Sequence, residues 1–137
     1  MRAMRWALVL LIALHGLIHV MGFMGAWGLG DAWTQIGAPI VPVAGMSLYA
    51  LGIAWLVACL GLLASAVLLA LDRDVWAPVA LASVALSQIS IMFWWPTAWR
   101  GTLPNLVILA AIAWQVTEHA RTYVAARSEG THSTPIA

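Results

Sequence analysis

The sequence predicts an all-α fold, an integral membrane four-helix bundle with both termini in the cytoplasm. Three observations carry this expectation. Hydrophobic residues make up 64% of the chain and charged residues only 8%. Four apolar stretches reach the length of a bilayer span, and five of the six basic residues fall on one side of the resulting topology. An ordinary soluble domain carries roughly a quarter of its residues as charges. This chain lacks the residues for such a surface, so the solvent that suits it is lipid. The net charge of +1 gives no basic field for nucleic acid, which is not expected as a partner. The single cysteine, Cys59, cannot form an internal disulfide.

A bilayer core is about 30 Å thick and takes roughly 20 apolar residues per helix. The stretches that meet this length run over about 6–28, 45–71, 76–95 and 102–123. They define one transmembrane domain, 1–125, followed by a polar tail, 126–137, expected to be disordered. A cleavable signal peptide is the rival for the first span, with MRAMR as its basic region. Apolar character continues past His19 to Trp27 with no small-x-small cleavage site, so a retained span is expected. Between the spans, GLGDAWTQIGAPIVPVAG carries the glycines and prolines of a loop. LDRDVW reads as a tight solvated turn, and WWPTAWRGTLPN as a helix–loop–helix corner.

Arginine placement orients the bundle. With both ends inside, Arg2, Arg5, Arg73, Arg121 and Arg127 are cytoplasmic and only Arg100 is outside, the bias that short loops of bacterial inner-membrane proteins show. Trp6, Trp27, Trp33, Trp76, Trp94, Trp95 and Trp99 fall near span ends, where indoles anchor to the interface. Trp55 and Trp114 fall near mid-depth and read as packing residues.

Within the first span the segment LHGLIHVMGF places two histidines four residues apart. Ionisable side chains at such depth are costly and mark a functional site by default. With a rise of about 1.5 Å per residue, His15 lies roughly 13 Å and His19 roughly 20 Å from the cytoplasmic end. Ser83, Ser87 and Gln88 of the third span fall at similar depths, and Gln115 of the fourth lies just below His15. His15, His19, Gly22 and Ala26 share one stripe, as do Ser83, Ser87 and Ser90. Small and polar residues on one face are what helix contacts in membranes use. The histidines are therefore expected to face the bundle interior.

Two readings of that interior follow. One is a site for a lipid, quinone or similar amphiphile, lined by His15, His19, Ser83, Ser87, Gln88, Trp114 and Gln115, with Trp55 and Phe93 as apolar wall. Arg100, Asn105 and Tyr49 would then stand at its outer mouth. The other is a non-catalytic accessory or oligomerising subunit, whose histidines are neutral interhelical hydrogen-bonding groups. No nucleophile or cofactor motif argues for an enzyme, and a non-catalytic role is expected. No cofactor is predicted. A metal held by His15, His19 and Cys59, or a single-histidine haem, stays open as a third reading. HExxH is absent, because the residues between the histidines are GLI. The expected partners are membrane lipids and either a second copy or a larger membrane complex.

Two blocks, LHGLIHVMGF and SQISIMFWWPTAWRGTLPNLVIL, resemble an uncharacterised family of small bacterial four-helix membrane proteins with an HGxxHxxGF-like first span. The matching residues are His15, Gly16, His19, Gly22 and Phe23, then Trp99, Gly101, Thr102, Asn105, Ile108 and Leu109. The resemblance implies the fold and singles out these positions without implying a reaction. A more distant likeness to DoxX-type proteins is one of architecture alone.

Overall fold

The computed structural model describes residues 2–31 and 36–131. Among these there are four long helices and no strand: α1 (Arg2–Ala26), α2 (Met46–Ala70), α3 (Trp76–Phe93) and α5 (Thr102–Thr131). A short helix α4 (Trp95–Ala98) and a 3-10 turn (Trp99–Gly101) join α3 to α5. By length and apolarity α1, α2 and α3 are each able to cross a membrane, whereas α5 is not among the helices that meet both conditions. Its length suffices, but Asn105, Gln115, Glu118 and Arg121 dilute its apolar run. Nor does α5 stop at 123. It continues through Thr131, so the expected tail is helical over its first part, and 132–137 lie outside the described residues.

The helices run alternately up and down, which brings the start of α1 and the end of α5 to the same end of the bundle. Close approach of α1 and α2 rests on glycine. A Cβ on Gly16 would press on Leu62 and on the Cys59 carbonyl, and one on Gly52 would meet the Trp27 ring. A Cβ on Gly22 would sit 2.3 Å from Cδ2 of Trp55, inside the indole itself. Small residues at such crossings let helix backbones approach closely. The next crossing repeats the device, because the Ser83 side chain occupies the space beside Gly61. The Ser65 hydroxyl also donates to the Trp76 carbonyl at 3.1 Å.

Two apolar clusters fill the interior. Val9, Ile12, Leu62, Ala66, Val84 and Ile108 pack toward the termini, and Ala26, Trp55, Ile91 and Trp94 toward the opposite end. Trp94 is 1% exposed and Trp76 is 5% exposed, so both expected interface anchors are core residues instead. Trp6, Trp27, Trp95 and Trp99 are exposed, in keeping with the anchoring role, while Trp33 lies outside the described residues. At the chain-termini end Arg5 reaches Asp72 at 2.8 Å, which ties α1 to the α2–α3 turn. The expected solvated turn is thus partly a clasp.

The described stretch 36–40 of the α1–α2 connection lies over the far end of the bundle as a strap. Ile40 N–H donates to the Phe93 carbonyl at 2.8 Å. Trp94 Nε1–H donates to the Gly37 carbonyl at 3.1 Å, and the Thr97 hydroxyl to that of Ile36 at 2.8 Å. The α3–α5 corner folds back beside α3 rather than arching away from it. Gly101 consequently sits where a Cβ would lie 2.8 Å from Ile91 Cδ1 and 3.6 Å from His15 Cε1. This fold-back lowers the start of α5 into the bundle.

The Gly22–Trp55 contact yields a test. Gly22→Ala forces the indole to move in a packed interior, and overpacking of this kind costs about 1–3 kcal/mol. Thermal unfolding in detergent should show a clear fall in melting temperature, and an unchanged value would mean that the helices do not approach this closely.

Candidate functional site

Both histidines face inward, at 4% and 1% exposure for His15 and His19. Gly22 and Ala26 of the same stripe are buried with them. Helical register explains the pair: four residues apart, the two rings lie one above the other, with centroids 4.7 Å apart and planes nearly perpendicular.

Hydrogen bonds fix the roles of the ring nitrogens. His19 Nδ1 lies 2.8 Å from the backbone oxygen of His15. A carbonyl can only accept, so this nitrogen carries the proton. In the neutral ring Nε2 must then accept, and the Ser87 hydroxyl donates to it at 2.7 Å. Ser87 has one proton, now committed, so its oxygen accepts from Asn105 Nδ2 at 3.0 Å. The other proton of that amide goes to Gln88 Oε1 at 3.1 Å. Asn105 Oδ1 in turn accepts from His15 Nε2–H at 2.8 Å. Gln88 Nε2–H extends the network to the Thr102 hydroxyl at 3.2 Å.

The bonds close into a cycle. It runs from the His15 ring to Asn105, to Ser87, to His19 and back to the His15 carbonyl, joining α1, α3 and α5. Asn105, Ser87 and His19 are each no more than 1% exposed. Trp55 of α2 lies over His19, ring centroids 5.0 Å apart, and seals the seam from the remaining side. Among the described residues only Nδ1 of His15 is left without a hydrogen bond within the pair.

The structure thus brings together four of the residues expected at a site, His15, His19, Ser87 and Gln88, and adds Asn105 at their centre. Asn105 was expected at an outer mouth with Arg100 and Tyr49. The folded-back corner carries it to the level of the histidines, while the other two stay outside. Arg100 is exposed, its guanidinium 5.4 Å from the Trp99 ring centroid. Tyr49 is exposed beside Trp27, with ring centroids 5.2 Å apart.

Ser83 turns its hydroxyl back to the Val79 carbonyl at 2.7 Å and takes no part in the seam. Trp114 is 62% exposed, on the outside of α5 rather than in a cavity wall. Gln115 is half-buried, ten residues along α5 from the seam. Thr102 was not expected as a participant. Its signal was present in the sequence, since it precedes Asn105 by three positions and so shares its helix face.

Cys59 is buried but joins no cluster with the histidines. Among the described residues no group of three His, Cys, Asp or Glu side chains is placed to hold a metal ion. Nor can the pair offer two imidazoles to one ion while both nitrogens of His19 are engaged. A crevice of about 210 Å³ near the pair is lined by Gly22, Trp55 and Trp94 among others but by neither histidine.

Asn105 makes three hydrogen bonds at once, to His15, Ser87 and Gln88. At about 0.6 kcal/mol for each interhelical bond in a membrane protein, Asn105→Leu should cost about 2 kcal/mol, more than Ser83→Ala at the serine outside the cycle. A double-mutant cycle between His15→Leu and Asn105→Leu, read by unfolding in detergent, should show coupling. Additive losses would mean that the two side chains do not bond. Comparison with known proteins finds no matching family model, no matching curated protein and no matching solved structure.

Proposed function

We propose that the chain is a non-catalytic, multi-pass protein of the bacterial cytoplasmic membrane, an accessory or oligomerising subunit. In this reading the His15–Asn105–Ser87–His19 seam is an interhelical lock. One observation carries it: both nitrogens of His19 are engaged by groups of the chain itself, on a ring that is 1% exposed. A ligand or a general base needs a free nitrogen facing open space, and His19 offers none. Neither ring lines the crevice beside them, which argues against an amphiphile head held between the histidines. Three helices long and apolar enough to cross a membrane support the location. Arginines concentrated at the end of the termini and the α2–α3 turn support a cytoplasmic assignment for that end.

The fourth span in this reading is shorter than its helix. The first part of α5, from Thr102 to about Gln115, lies along the bundle with Asn105 and Ile108 buried. Beyond it Glu118 and Arg121 pair at 3.0 Å, as an exposed helix would at the membrane surface. The remainder, through Thr131, extends into the cytoplasm and is the part available to a partner subunit.

Two measurements test the proposal. Substitution of both histidines by glutamine should lower the melting temperature by several degrees and leave the spectrum of copurifying lipids unchanged. If instead a specific lipid is lost while melting is unaffected, the lock reading fails and the histidines are a binding site. Separately, a fluorescent reporter fused to the C-terminus should be active in the cytoplasm, and one that works only outside would invert the topology.

A further inference from the structure

The four long helices are not held in the same way. α1 and α2 each bury eight residues and α3 buries seven. The crossings among these three are close ones, made at Gly16, Gly22 and Gly61. Among its described side chains α5 buries two, Asn105 and Ile108. Both lie in its first two turns, just past the corner where Gly101 packs against Ile91 and His15. Farther down, Ala111 and Ile112 are covered in part, while Leu106, Val107 and Trp114 are more than half exposed. What α5 lacks in packing is supplied by polar bonds. Asn105 joins His15, Ser87 and Gln88, and Thr102 accepts from Gln88.

We infer that α5 is a detachable element: α1, α2 and α3 form a unit that stands by itself, and α5 docks on it through the seam and undocks by swinging about the Trp95–Gly101 corner. The inference rests on the lock reading and names what is locked. Segments with few buried contacts open first, before the rest of a fold gives way. The remainder of the seam survives that opening. Without Asn105, His19 still donates to the His15 carbonyl and accepts from Ser87, so α1 and α3 stay joined. The pivot survives as well, because the strap bonds to Phe93, Trp94 and Thr97, all ahead of α5. The exposed stretch beyond Gln115 is then a handle. A partner that grips it shifts the balance toward the undocked state as far as it binds that state better. On release, the directional bonds of Asn105 return α5 to one register.

The test uses the full chain in lipid nanodiscs and reads distances between nitroxide labels by pulsed electron spin resonance. Cys59→Ala removes the single native cysteine, so labels go only to introduced ones. Val75→Cys with Val116→Cys spans from the α2–α3 turn to α5. Met4→Cys with Val75→Cys is the control pair within the three-helix unit, and all three positions are exposed. Asn105→Leu removes three interhelical bonds. The ratio of undocked to docked α5 should then rise about twentyfold, seen as a second, longer distance in the α5 pair alone. Gln88→Met removes two bonds and serves as the second variant should Asn105→Leu not fold. It should raise the ratio about sevenfold. A single unchanged distance in both variants would mean that apolar contacts suffice to hold α5. Broadening of the control pair together with the α5 pair would mean that the four helices loosen as one. Either result overturns the inference. Neither decides the lock, which is judged by the melting of the histidine variants.

Discussion

In a dry helical interior a polar group cannot fall back on water, so each one must find its partner within the protein. That constraint organises this bundle. Two imidazoles, a hydroxyl and two carboxamides sit at one depth, and the bonds among them form only if three helices hold a single mutual register. Apolar packing alone would tolerate sliding, because one leucine contact resembles the next. The seam removes that freedom. A shift of α3 by one turn would strand the Ser87 hydroxyl and the His19 nitrogen together.

Other features depend on this register. Trp55 covers His19 only because α1 and α2 approach closely, and they do so only because Gly22 has no side chain to resist the indole. The fold-back at the α3–α5 corner follows from the same requirement. If α5 began level with the end of α3, Asn105 would stand above the histidines and face nothing. The short helix Trp95–Ala98 and the 3-10 turn take up the intervening chain and set α5 lower. The strap then bonds to Phe93, Trp94 and Thr97, fixing the corner that fixes Asn105. The last helix relies on this arrangement most, since past Gln115 nearly all its described side chains are exposed.

Much of this was legible from residue order. Apolar length located the helices, and the four-residue spacing placed His15 and His19 on one inward stripe. Counting depth at a fixed rise put Ser87 and Gln88 in one band with the histidines, where the seam has them, because α1 and α3 run in the same direction from the same end. The count failed for Asn105 because it assumed that α5 starts at the surface. A corner's path depends on tertiary bonds to the strap, which lie more than fifty positions away in sequence and leave no local periodicity. Trp94 and Trp114 misled for a related reason. Tryptophan suits both an interface and a core, and which it meets is decided by the neighbouring element. Trp94 is covered by the strap, whereas Trp114 points away from the bundle on the outer face of α5.

The choice of histidine at positions 15 and 19 also has a physical reason. A serine on a membrane helix tends to return its hydroxyl to the carbonyl one turn back, and Ser83 and Ser90 do so, to Val79 and Leu86. Such a residue satisfies itself and joins nothing. Imidazole has two nitrogens on opposite sides of a rigid ring. In His19 one makes the same local bond, to the His15 carbonyl, while the other is carried outward to Ser87. One side chain thus settles its own backbone geometry and reaches a second helix. Glutamine could make both bonds in principle, but its freely rotating stem must be ordered to do so, at a further entropic cost. A rigid two-ended linker gives the lock its register, and for that reason the rings are found where only hydrocarbon would be expected.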